Sequence, residues 1–168
     1  MTNFGEKAGI LQIRQYVMEA ERKRGRYGRI REQLGEVLTV TEAMAPRMAT
    51  VAALLHHKMD YFFWTGFYQL VEGKLLVGPY QGPLACQDLQ KERGACWAAV
   101  EQKKTILVPN VDEYKGHIAC DARSKSEIVA PCIDKEGKVF AVLDVDSKQL
   151  NAFDEVDAEE LEKIVSLL

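Results

Sequence analysis

The residues best suited to chemistry lie between Gly116 and Ser147, where Cys120 is followed by several carboxylates, Glu127, Asp144 and Asp146 among them. Cys120 follows a polar loop, Glu127 heads an apolar run, and Asp144 and Asp146 end a second, longer apolar run that reads as a buried strand. An unpaired carboxylate in a strand core is costly, so two spaced i, i+2 on one face point to a polar pocket opening at the strand end. Two acids projecting together suit a cationic group such as a ligand α-ammonium. A clustered carboxyl with a raised pKa can also give a proton to a leaving oxygen.

The chain has four cysteines and three histidines. No two cysteines stand two to four residues apart, as a zinc knuckle requires, so the spacing argues against a zinc site and no metal is expected. Cys120 and His117 could form a protease-like pair, but nothing near them suggests an oxyanion hole, and His117 reads as a loop residue bonded to backbone. Redox chemistry uses more of the residues. Cys86, Cys96 and Cys120 fall in loops or at a helix start, where thiols can be reached and can approach one another. A reactive thiolate with a resolving cysteine is the minimal kit: a sulfenic acid forms, a second thiol condenses with it, and an external dithiol resets the pair. Cys132 alternates with Glu127 along its strand and reads as a small core hydrophobe.

The elements that must position these groups follow from periodicity. Helices are expected over 8–24, 28–38 and about 42–58, the last with Met44, Met48, Val51, Leu54 and Leu55 at helical spacing. The two methionines read as core packing, and the adjacent His56 and His57 point in different directions. Residues 61–70 and 74–80 read as a hairpin around Glu72-Gly73. Alternation puts Phe62, Trp64, Gly66 and Tyr68 on one face, so Trp64 and Tyr68 either line a ligand or are plain core. A short helix from Arg93 to about Lys103, a strand at 106–109 and a long loop at 110–125 come next. Strands 127–133 and 138–146 and a helix capped by Asp154 close the chain. The expected fold is α+β: an antiparallel sheet covered on one face by the first and last helices, with a pocket on the other face under segment 82–125.

Composition narrows the classes of function. With 168 residues, 47% hydrophobic and 28% charged, the chain suits one compact core. Its net charge of −3 offers no footprint for nucleic acid or an acidic membrane. The basic run from Arg22 to Arg31 has a single aromatic, Tyr27, too few to form a stacking platform for bases, and reads as a solvated helix surface. No apolar run is long enough to span a bilayer, and the N-terminus lacks a secretory pattern, so the expected address is the cytoplasm. Thiols are kept reduced there.

Several motifs in order resemble the free methionine-(R)-sulfoxide reductases, which are single GAF-domain enzymes: Trp64-Thr65-Gly66-Phe67-Tyr68; Gly78-Pro79-Tyr80-Gln81-Gly82 with Cys86; Gly94-Ala95-Cys96; Gly116-His117-Ile118-Ala119-Cys120-Asp121; Ser126-Glu127-Ile128-Val129; and Val142-Leu143-Asp144-Val145-Asp146-Ser147. The likeness runs from about Tyr27 to the C-terminus, which divides the chain into an N-terminal helical extension, 1–26, and a GAF-like catalytic domain, 27–168. It implies that Cys120 attacks the sulfoxide sulfur, that Cys86 resolves it, and that Cys96 is an auxiliary thiol. It also implies that Glu127, Asp144 and Asp146 hold the substrate ammonium and supply a proton, with Trp64 and Tyr68 against the methyl end. Thioredoxin would return the disulfide to thiols, with no metal or organic cofactor. One departure is Trp97, where the family more often has glycine; an indole there is expected to narrow the pocket or alter the movement of Cys96. The competing expectation is a GAF sensory module that binds a small molecule without turning it over, because one scaffold hosts both uses. The sequence leaves open whether the chain pairs as a homodimer.

Overall fold

The structure, a computed structural model, describes residues 4–117 and 120–168, with side chains of the first helix from Ile13 onward. Ile118 and Ala119, part of the motif compared above, lie outside the described residues, as do residues 1–3. The order is α1 (Phe4–Val37), a short 3₁₀ turn (Leu38–Val40), α2 (Met44–Lys58), β1 (Trp64–Val71), β2 (Lys74–Gln81), β3 (Asp88–Leu89), α3 (Gly94–Gln102), β4 (Ile106–Val108), β5 (Ser126–Ile133), β6 (Val139–Ser147) and α4 (Glu155–Val165).

The six strands form one antiparallel sheet in the order β3-β2-β1-β6-β5-β4. Period-two alternation sends Phe67, Ile128, Ala130, Cys132, Leu143 and Val145 to one face, where they join Tyr27, Ile30, Leu34, Met48, Val51, Leu55, Leu161 and Ile164 in the main core. Cys132 is thus a core residue, as its alternation with Glu127 requires. The opposite face carries a second cluster, including Trp64, Tyr68, Val129 and Val142, under α3 and the segments around it. His56 Nδ1 lies 3.3 Å from Thr65 Oγ1 while His57 is exposed, so the two adjacent rings part company.

Three expectations change. The helices anticipated at 8–24 and 28–38 are one helix: only Gly25, Arg26 and Tyr27 lie between them, Tyr27 is fully buried, and the flanking Lys23, Arg24 and Arg31 are held by acids at α4. Lys23 pairs with Asp154 and Asp157, Arg24 with Glu159, and Arg31 with Glu160, so part of the basic run is a docking seam between helices and not simply a solvated surface. Secondly, α2 joins the first and last helices on that face: α2 and α4 rest on the sheet, and α1 packs along both while Tyr27, Ile30 and Leu34 enter the same core. Thirdly, β1 begins at Trp64 and not at 61: the Phe62 N–H still donates to Met59 O at the end of α2, which sends Phe62 into the helix-side core instead of the Trp64 face. The two-residue edge strand β3 is too short for periodicity to reveal. Among the described residues no helix is long and apolar enough to cross a membrane.

Candidate active site

Strand register brings the acids together. The β5–β6 hairpin closes at Asp134–Gly137, where the Asp134 carboxylate accepts the backbone N–H groups of Glu136 and Lys138 and Gly137 takes a φ of +78°. With the turn fixed, Glu127 stands opposite Asp146 and Val129 opposite Asp144. On the other side of β6, Trp64 stands opposite Asp146 and Gly66 opposite Asp144. Directly opposed side chains on one face are within contact reach, so three strands deliver three carboxylates and an indole to one small area. Helix α3 lowers Cys96 onto it: one ligand-capable atom each of Cys96, Glu127 and Asp144 lie within 4.8 Å of one another.

The aromatic wall depends on two close backbone approaches. The Trp64 indole stacks on Tyr68 and Tyr80 with ring centroids 5.8 and 5.3 Å away, and its Nε1–H donates to Pro83 O at 3.1 Å. A Cβ on Gly66 would come within 2.6 Å of Trp64 Cη2, and one on Gly82 within 2.9 Å of Trp64 Cδ1. Glycine at both places is what lets the indole lie flat along the strand. Trp64 and Tyr68 are at once buried and part of the cavity lining, so the two readings of that face hold together.

Cys86 and Cys120 are joined by a disulfide, 34 residues apart in sequence, while Cys96 and Cys132 are free and buried. Cys120 is exposed and lines the cavity along with Leu84, Ala85, Leu89, Arg93 and the first turn of α3. Asp121 shapes the turn after Cys120 by accepting the backbone N–H and the guanidinium of Arg123. With the disulfide closed, the cavity is about 40 Å³, small beside an amino acid.

Two residues escaped the sequence reading. His117 is not simply a loop residue bonded to backbone: its N–H does donate to Tyr114 O, but its ring lines the cavity with Nδ1 3.5 Å from Glu127 Oε2. Ser124 is buried beside Asp146. Neither carries a spacing signal, because both reach the acids only through the fold of the 110–125 loop. That loop is pinned where the Val111 N–H donates to Lys125 O and the Lys125 N–H to Ser147 O.

The electrostatics follow from burial. Asp144 is pushed well above the usual carboxyl range, first by burial and then by the charges of Glu127 and Asp146. Burial and then Glu127 push Asp146 up to about 8, with the Ser124 hydroxyl pulling the other way. The Cys96 thiol is driven far up by burial and by the same acids, Asp144 foremost. His117 is raised by the Glu127 carboxylate against the effect of burial. The cluster therefore retains protons at neutral pH. Glu127 Oε2, facing His117 Nδ1 at 3.5 Å, and Asp144 Oδ1, beside Cys96, are buried without a well-formed hydrogen bond among the described residues.

Residues 48–168 match the GAF domain family model. The GAF domain-containing protein A of Dictyostelium discoideum is 44% identical over 147 residues, 87% of this chain and 92% of that protein. The free methionine-R-sulfoxide reductase of Escherichia coli is 38% identical over 121 residues, 72% of this chain and 73% of that protein. An X-ray structure of free methionine-R-sulfoxide reductase from Neisseria meningitidis, in complex with its substrate, superimposes with a TM-score of 0.80 at 36% identity, covering 84% of each chain. The chain belongs to the free methionine-(R)-sulfoxide reductase family of GAF domain proteins, and so to the oxidoreductases. Trp97, expected to narrow the pocket or alter the movement of Cys96, turns away from the cavity. The indole is buried in the α3-side cluster and donates from Nε1 to Leu89 O at 3.1 Å, which ties α3 to the β3 edge instead of narrowing the pocket.

Proposed function

We propose that this chain reduces free L-methionine-(R)-sulfoxide to L-methionine with its own cysteines as the electron source. The observation that carries the reading is the Cys86–Cys120 disulfide beside the aromatic and acidic cavity. Cys120, exposed on the cavity wall, is a better attacking thiol than Cys96, whose burial among acids disfavours the thiolate. The Cys120 thiolate attacks the sulfoxide sulfur while a carboxyl of the Asp144–Asp146 cluster protonates the sulfoxide oxygen. That hydroxyl passes to Cys120 Sγ as the transient bond between the two sulfurs breaks with its electron pair on the substrate sulfur, so methionine leaves and Cys120 is the sulfenic acid. The Cys86 thiol then condenses with it, releasing water and forming the disulfide. The sum is one sulfoxide and two thiols to one sulfide, one disulfide and water.

Glu127, Asp144 and Asp146 meet the substrate ammonium, whose N–H groups satisfy the two orphaned oxygens. Trp64 and Tyr68 take the methyl end. Arg93 and the N-terminal turn of α3, on the cavity wall, suit the carboxylate. Cys96 serves as an auxiliary thiol. Thioredoxin resets the disulfide at the exposed Cys120, which suits a reducing, cytoplasmic setting. A sensory module would use the same cavity but would leave the disulfide without a role.

The test supplies thioredoxin, its reductase and NADPH and follows NADPH consumption with each sulfur epimer separately. Consumption with the R epimer and none with Cys120→Ser is expected. Equal rates for both epimers, or undiminished turnover by Cys120→Ser, would sink the mechanism. An N-acetylated sulfoxide, lacking the ammonium, should lose roughly 10²–10⁴ in kcat/KM, since it leaves the acids unpaired.

A further inference from the structure

Cys96, Glu127 and Asp144 come from α3, β5 and β6, so no spacing rule applied to the sequence could have joined them. Their donor atoms lie within 4.8 Å of one another, and Glu127 and Asp144, only 5% and 7% exposed, each hold a buried oxygen without a well-formed hydrogen bond among the described residues. Around a tetrahedral ion with bonds of about 2.0–2.3 Å, neighbouring donors stand roughly 3.3–3.8 Å apart. The His117 Nδ1 to Glu127 Oε2 separation of 3.5 Å already falls there. An ammonium would satisfy the carboxylates but gains little from a thiol sulfur, whereas a borderline-soft divalent cation gains from both. The site opens on the same cavity as Cys120, which provides an entry path. Cys96 is also outside the disulfide, so these donors remain when Cys86 and Cys120 are oxidised.

We propose that Cys96, Glu127 and Asp144, with His117 at their edge, bind a thiophilic divalent cation of the zinc type, which competes with the amino-acid ammonium for the same acids. Binding releases the Cys96 thiol proton to solvent and leaves the redox pair untouched. The competition clause rests on the reading of the acids as the ammonium site; the metal site itself does not.

The full chain in its disulfide form is titrated with cobalt(II), because oxidation removes Cys86 and Cys120 as rival ligands. A sulfur-to-cobalt charge-transfer band in the near ultraviolet is expected, displaced by zinc and not by magnesium. It should vanish in Cys96→Ser and persist in Cys132→Ala, and Asp144→Asn should weaken cobalt binding about tenfold or more. Circular dichroism of each variant separates loss of a ligand from loss of fold. No band in the folded wild type at millimolar cobalt, or a band that survives Cys96→Ser, overturns the site. The competition is read in a Cys86→Ser/Cys120→Ser variant, which has neither the closing disulfide nor its two rival thiols: L-methionine should weaken cobalt binding there more than L-alanine, which chelates cobalt comparably in solution. Equal weakening by the two overturns the competition and leaves the site standing, and a cobalt band in a protein without sulfoxide turnover removes the proposed function alone.

Discussion

Asp146 sits where β6 emerges from beneath α3, half-buried, with Glu127 across the ladder. Its carboxyl, raised to about 8, stays protonated in the folded chain over a range where the unfolded chain has already lost that proton. The folded state then binds more protons than the unfolded one, so stability falls as pH rises from about 4 to about 8 and levels off above. Asp146→Asn should remove that slope and stabilise the fold at pH 8 by on the order of 1–3 kcal/mol relative to its effect near pH 4. Denaturant titrations at the two pH values check it, and an equal gain at both would mean that titration is not the cause. If this cluster is also the proton source, kcat should fall as pH passes about 8, and in Asp146→Asn the fall should move or disappear.

β1 carries the aromatic wall, and its geometry hangs on Gly66. A methyl group there would press on Tyr80 and Trp64 together, in a stretch where the β1–β2 register already shifts between Gly66 and Tyr68. Gly66→Ala should cost roughly 1–3 kcal/mol as overpacking and raise KM for the sulfoxide by displacing the indole. Thermal melts and initial rates read the two effects, and an unchanged KM with a lowered Tm would separate the wall from substrate binding. At α3, Trp97→Gly puts in the residue that the sequence resemblance leads one to expect there. It removes the bond to Leu89 O and a buried ring, so stability should drop by about 3–5 kcal/mol while the cavity keeps its lining.

The molecule as a whole is closed by the seam between α1 and α4. Asp157, fully buried, accepts from Lys23, Tyr27 and Tyr61 and completes the capping box of α4 with Asp154. The buried Glu160 faces Arg24, Arg31 and Lys163. We propose that the catalytic domain begins near Tyr27 and that residues 1–26 are an extension whose last turn latches onto α4 through Lys23 and Arg24. A chain starting at Tyr27 should keep turnover and lose roughly 1–3 kcal/mol, since Asp157 retains its tyrosine donors but not its ammonium. That is several degrees in Tm for a chain this size. Lost turnover in a folded truncate would move the boundary.

Much of this was legible in the sequence because it depends on local rules. Alternation along single strands separated Cys132 from Glu127 and put Trp64, Gly66 and Tyr68 on one face. Asp154 read as a cap, and Asp144 and Asp146 announced a pocket because apolar strands do not end in acids without cause. The ordered motifs carried the family. Other features are properties of pairs of segments far apart in the chain, and no single window contains them. The basic run looked solvated because its acidic partners lie more than a hundred residues away, and α1 looked like two helices for the same reason. His117 and Ser124 reach the acids through the path of a loop, and Trp97 turns from the cavity because Leu89 O waits on the other side. Periodicity determines which way a side chain points from its own element; only the packing of elements decides what it meets, and for Cys96 that is two carboxylates with unsatisfied oxygens.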